Sequence, residues 1–365
     1  MKRRKLPYPK LHIWLLADLV LLAAYLVLRQ NRGLMNALTK RLTAPLRAAL
    51  GRLCYRTPIS VMEVLIVLAV VVAVVYIVLA AIYLVRSREG CGRRVYGAAL
   101  LPLCVVLLVY NVFCLLWGAN YWADGFQEQS GIYAQPVAVE DLTAVTEYFA
   151  HQLWDVYDAV ERDENGLFAV SRVEILEKSS RIYEGAEALF PFLEFEDVGV
   201  KAMAFSRVMS IIDFTGVYCS CTGESNVNVD SPACMLPATV AHELTHQRGI
   251  ASEQECNFLG VVASVSSGDV AYAYSGWLDG YVQLGNALYR VAPDRYWQIR
   301  NALPAQVQAD LQYNNAYWKQ FTGTVIQKAS NKVYDGVLKA YGDERGMQSY
   351  GTAVDLLVAY YKDNI

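Results

Sequence analysis

Residues 241–249 read Ala241-His242-Glu243-Leu244-Thr245-His246-Gln247-Arg248-Gly249. Histidines four apart on a helix project from one face, one turn above the other, so both imidazoles reach a single cation and Glu243 stands beside them. Pro237 suits the first turn of such a helix, where its missing amide costs nothing, and Gly249 suits a left-handed stop. The competing reading is an amphipathic helix whose histidines are ordinary surface or core residues. The chain has only two other histidines, His12 and His151.

A catalytic zinc usually takes three protein ligands and keeps a fourth position for water. Past the Gly249 break comes Ser252-Glu253-Gln254-Glu255-Cys256-Asn257. Ser252 is a natural N-cap, and Glu253 and Glu255 suit the first turn of a second helix, where carboxylates complement the helix dipole. That helix returns soon enough to bring either carboxylate to the metal. Cys219, Cys221, Cys234 and Cys256 lie near this stretch. They allow one or two disulfides in an oxidising compartment, whereas a four-thiolate zinc module would want paired Cys-Xaa-Xaa-Cys spacing that is absent.

Outward from the motif the composition splits. The 365 residues are 55% hydrophobic with a mean hydropathy of +0.23, high for a purely soluble protein, and the excess is concentrated in stretches near 11–28, 60–85 and 95–118. Each approaches or exceeds the ~20 residues a helix needs to cross the hydrocarbon core. The first is the shortest and contains Asp18, for which a helix-contact or interfacial role ranks above ion passage. Residues 1–119 carry 16 Lys and Arg against 3 Asp and Glu, while residues 120–365 carry 16 against 32. Basic flanks mark cytoplasmic ends, so residues 1–5 and 86–94 are expected inside and, after three spans, the acidic C-terminal part extracytoplasmic. Seven basic residues between Arg29 and Arg56 run against that rule. Leu34, Leu38, Leu42, Leu46 and Leu50 make that stretch a candidate amphipathic helix on anionic headgroups.

The expected organisation is a membrane anchor over 1–122, a juxtamembrane linker over 123–135 and a metallopeptidase domain over 136–365. Apolar residues recur at helical spacing in 139–160, 175–189 and most of the chain after Pro237. Phe214 to Asp230 reads as two short alternating runs around Thr222-Gly223-Glu224, a β-hairpin. The fold class is therefore mainly α: transmembrane helices, then a mostly helical α+β domain with a small sheet before the histidine helix. Asn226-Val227-Asn228 reads either as an edge strand for an extended peptide or as plain hairpin.

His-Glu-Xaa-Xaa-His followed by a Glu-containing helix resembles the gluzincin metallopeptidases, such as thermolysin and the membrane proteases of the prenyl-protein and heat-shock type. The resemblance implies a zincin-like fold, Glu253 as third zinc ligand, and Asn257 at the position that orients a ligand histidine, with Asn in place of the usual Asp. The chain also resembles a bacterial family of membrane proteins known only as a domain of unknown function. Thr222 to Asn228, His242 to Gly249, Glu255-Cys256-Asn257 and Ser349-Tyr350-Gly351 carry that likeness, and it makes Tyr350 a candidate oxyanion stabiliser. The implied chemistry is hydrolysis of a peptide bond: zinc held by His242, His246 and Glu253 acidifies water, and Glu243 takes the proton. The rival classes are a zinc-binding membrane sensor and an inactive envelope scaffold. The expected partners are the lipid bilayer and a peptide or protein substrate. The acidic C-terminal part and the lack of a nucleic-acid motif exclude a nucleic-acid partner.

Overall fold

A computed structural model describes residues 6–86, 91–196, 198–340 and 350–365. Three of its helices are long and apolar enough to cross a membrane: α1 (Pro9–Leu28), α4 (Val61–Val85) and α5 (Cys91–Leu116). Two shorter helices, α2 (Arg32–Leu38) and α3 (Ala44–Cys54), follow α1 and are joined by the π-type turn Thr39–Thr43. The spans thus fall within a few residues of their expected positions. Asp18 is buried on α5, where Asn111 Nδ2 donates to its backbone oxygen at 3.1 Å and to Oδ1 at 3.4 Å. This is a helix contact, as expected for an acid on an otherwise apolar helix.

α1 and α5 run parallel. At one end His12 Nε2 meets the Tyr96 hydroxyl at 2.7 Å, and at the other the Arg29 guanidinium lies 4.2 Å over the Trp122 ring. The N-terminus of α4 is also at this second end, so α2, α3 and the C-terminal part lie on one side of the spanning block. That placement answers the seven basic residues. Arg32 pairs with Asp124 at 2.8 Å and Glu128 at 2.5 Å, and Arg52 with Glu196 at 3.5 Å, so part of this charge meets the acidic domain rather than headgroups. The leucine stripe keeps an outward face, with Leu34, Leu42 and Leu46 exposed, while Met35, Thr43, Arg47, Gly51 and Cys54 are buried against the protein.

The C-terminal part is mainly helical: α6 (Phe126–Ser130), α7 (Val139–Val156), α8 (Leu236–Gln247), α9 (Glu253–Ser266), α10 (Val270–Val291), α11 (Val325–Ala340) and α12 (Tyr350–Tyr361), with two further helices at Pro293–Ala302 and Ala305–Lys319 and several shorter ones. One apolar core joins α7, α8, α9, α10 and α12 through residues such as Phe149, Leu244, Phe258, Leu278 and Leu357. Residues 123–135, expected as a linker, include α6, whose Phe126 is fully buried in this core.

The sheet has three strands, β1 (Lys201–Ala202), β2 (Gly216–Cys219) and β3 (Glu224–Val227), in the order β1-β3-β2. β2 and β3 are the expected hairpin, antiparallel with Val217 opposite Asn226. β1 adds in parallel on the far side, opposite Asn226 and Val227. Asn226-Val227 is therefore central and buried, and the edge strands are β1 and β2. Gly223 turns the hairpin at φ +69°, and a Cβ there would stand 2.4 Å from the Arg47 carbonyl oxygen, so the turn seats directly on α3.

Glu224 locks the sheet to the spans. Its carboxylate accepts from the amides of Val61 at 3.1 Å and Met62 at 2.9 Å, at the positive end of α4. Lys201 Nζ meets the same carboxylate at 2.5 Å and donates to the carbonyls of Cys54 at 2.9 Å and Ile59 at 2.8 Å. Both side chains are buried.

Candidate metal centre

α8 begins with Pro237 in its first turn, and Gly249 beyond its end has φ +92°. Its His242 and His246 rings lie one turn apart and edge-on, with centroids 4.9 Å from each other. The chain then reverses and α9 starts at Glu253, whose carboxylate comes back between them: Oε2 lies 3.3 Å from His242 Nε2 and Oε1 3.5 Å from His246 Nε2. Ligand atoms of the three lie within 4.8 Å of one another, and among the described residues this is the only such group of His, Cys, Asp or Glu. His246 Nδ1 donates to the Ile250 carbonyl at 2.9 Å, which directs Nε2 at Glu253. Tyr334 donates to Glu253 Oε1 at 2.6 Å. Burial alone would raise Glu253, but His246 and His242 outweigh it and hold the carboxylate well below its ordinary range.

Glu255, the alternative third ligand, points elsewhere. It accepts from the amides of Phe126 at 2.8 Å and Gln127 at 3.1 Å, capping α6. Two residues on from Glu253, it projects some 200° around the helix, so one carboxylate faces the histidines and the other the core.

Glu243 is buried, and its Oε2 has no hydrogen-bond partner among the described residues. Burial pushes its carboxyl up to about 7 against the lowering influence of His242 and His246. β2 passes over it so closely that a Cβ on Gly216 would stand 2.4 Å from Oε1. The histidines, Glu243 and Glu253 face a cleft of about 430 Å³ that β2, α11 and the end of α5 also line. In an antiparallel pair, residues alternate between facing the partner strand and facing away. Asn228 donates to the Thr215 carbonyl at 2.8 Å, which turns the backbone of Thr215 and Val217 toward β3 and leaves that of Gly216 and Tyr218 for the open edge.

Sequence reasoning missed three cleft residues. Trp117, just after α5, has its ring edge-on to His246 with centroids 5.6 Å apart, and the buried Arg47 guanidinium lies 5.5 Å from the Trp117 ring centre. Tyr334 contacts Glu253 from α11, 81 residues away. Asp279 on α10 also lines the cleft. Burial raises it to about 6 against the Gln283 hydrogen bond and the nearby His242. One tyrosine among 25, or one acid among many, carries no local signal. Asn257 lines the cleft as well. Ser349 and the Tyr350 side chain lie outside the described residues; Tyr350 begins α12. All eight cysteines are free thiols. Cys256 Sγ sits 3.3 Å from His246 Nδ1, and Cys219, beside Cys221, is lowered to about 6 by that contact.

No curated protein and no solved structure matches the chain. One family does, described as a protein of unknown function (DUF3810), and it covers residues 39–358, from α3 through the histidine helix and into α12. With this match spanning most of its length, the chain belongs to the DUF3810 family.

Proposed function

We propose that the chain is a membrane-anchored, zinc-dependent metallopeptidase that hydrolyses peptide bonds of exported or membrane proteins. The observation that carries this reading is the convergence of His242, His246 and Glu253 donor atoms next to a buried Glu243 oxygen with no partner of its own. Two imidazoles and one carboxylate are a donor set that suits zinc and leaves a position open. Bound there, zinc would supply Lewis acidity and make water a nucleophile near neutral pH.

The remaining work falls to the chain. Glu243 accepts the proton of the attacking water and returns it to the leaving amine. Tyr334 and the Ile250 carbonyl fix the orientation of Glu253 and His246. The open edge of β2 offers the Gly216 and Tyr218 backbone to an extended peptide, whereas Asn226-Val227 is paired on both sides. Phe113 of α5 lines the same cleft, which favours substrates held at the membrane. Basic residues at 1–5 and 86–94 favour a cytoplasmic location for those ends, and with it a cleft outside the cytoplasm.

The test is hydrolysis of a mixed peptide library by the full chain in lipid nanodiscs. Cleavage that needs zinc, stops with chelator and is absent in Glu243→Gln supports the enzyme. Equal cleavage by Glu243→Gln refutes it. The Trp117 contact with His246 favours a second reading, a zinc sensor that couples the site to α5; there, metal would shift Trp117 fluorescence without any hydrolysis.

A further inference from the structure

α11 has two faces of different character. Inward, Gln327 and Asn331 donate to Asp213 Oδ2 at 2.8 and 3.2 Å, Tyr334 donates to Glu253, and Leu338 is buried. These recur at intervals of three and four, the stripe expected of a helix lying on a surface. Outward, Val325, Ile326, Val333 and Val337 are exposed, at 84, 56, 70 and 42% of their surface. Monomeric soluble proteins seldom leave a continuous apolar stripe in water without a partner for it.

The position of the helix identifies that partner. Val337 and Phe113 line the same cleft, and Phe113 belongs to the spanning helix α5. The Tyr334 ring packs edge-on against Phe214, centroids 5.2 Å apart, and Phe214 packs in turn on the cluster of Met62, Met203 and Met209, of which Met62 belongs to the start of α4. Ends of two of the three spans therefore border the same cleft and cluster as α11. Its charge agrees: the acidic half of the chain here carries Lys328, Lys332 and Lys339 against a single acid, Asp335. All three lysines are exposed, and one pairs with Asp335. Apolar residues on one side with lysines beside them are what anionic headgroups and the acyl boundary select.

We propose that α11 lies on the bilayer surface with Val325, Ile326, Val333 and Val337 in the acyl boundary, so that the lipid interface borders the metal cleft. The proposal rests on the position of the helix and holds whether or not the site hydrolyses peptides. A spin label placed in turn by Ile326→Cys, Val333→Cys, Val337→Cys, Lys328→Cys and Lys332→Cys tests it, with the exposed Cys91 and Cys221 replaced by Ser. The full chain is measured in phosphatidylethanolamine and phosphatidylglycerol nanodiscs for collisions with oxygen, which partitions into lipid, and with a water-soluble nickel chelate. Labels at 326, 333 and 337 are expected to favour oxygen severalfold over those at 328 and 332. Nickel-dominated collisions at all five positions would overturn the proposal. Dipolar broadening between labels would also overturn it, by assigning the apolar face to a second copy of the chain.

Discussion

Glu243 holds a carboxylate where charge is costly, and both its reactivity and its effect on stability follow from that. The Glu243→Gln protein should keep its metal and lose about a hundredfold or more in hydrolysis, the usual contribution of a general base, in a zinc-dependent peptide assay. In the zinc-free protein the unfolded chain ionises Glu243 near 4.5, whereas the folded chain holds the proton up to about 7. Between those values the folded state binds more protons, so stability falls as pH rises and levels off above 7. Glu243→Gln removes that loss: thermal unfolding with chelator present should show the variant more stable at pH 8 by about 1–3 kcal/mol and matched to wild type at pH 4. The four residues of the core site were legible because three sit on one helix at local spacing and the fourth starts the next. Tyr334, Asp279 and Trp117 were not, because tertiary packing alone brings them to the cleft. The choice between Glu253 and Glu255 also needed the fold, since both fit a helix start equally well.

At the level of elements, α9 divides its two carboxylates between separate tasks. Glu255→Ala should leave zinc content unchanged and cost about 1–3 kcal/mol, the loss of a charged acceptor from two buried amides, measured by thermal unfolding. β2 offers a sharper test. Gly216→Ala drives a methyl group into Glu243 Oε1, so hydrolysis should fall at least about tenfold while zinc is retained, because the three atoms nearest the new methyl all belong to Glu243. Unchanged turnover would remove β2 from the site. The hairpin was legible from alternation and its glycine turn, but the identity of the edge was not. β1 is two residues long, too short to leave a pattern, yet its pairing is what makes β3 central. In α3 the leucine spacing revealed a helix and an outward face. It could not reveal that the opposite face buries Arg47 against Trp117.

Across the whole molecule, anchor and domain are interlocked rather than tethered. Glu224 closes the N-terminus of α4, Lys201 holds carbonyls from the α3–α4 connection, and Trp117 reaches His246. Glu224→Ala leaves Lys201 buried without its counter-charge and should destabilise the full chain by about 3–5 kcal/mol in detergent unfolding. Residues 125–365 alone should fail to fold for the same reason, although the charge split at residue 120 reads as a clean boundary. Composition reports solvent, not contacts. The account stands most directly on zinc content, measured by elemental analysis of the purified full chain alongside Glu253→Ala and Glu255→Ala. It predicts about one zinc per chain in the wild type and in Glu255→Ala, and little or none in Glu253→Ala. A folded wild type without zinc, or zinc retained by Glu253→Ala and lost from Glu255→Ala, would contradict it.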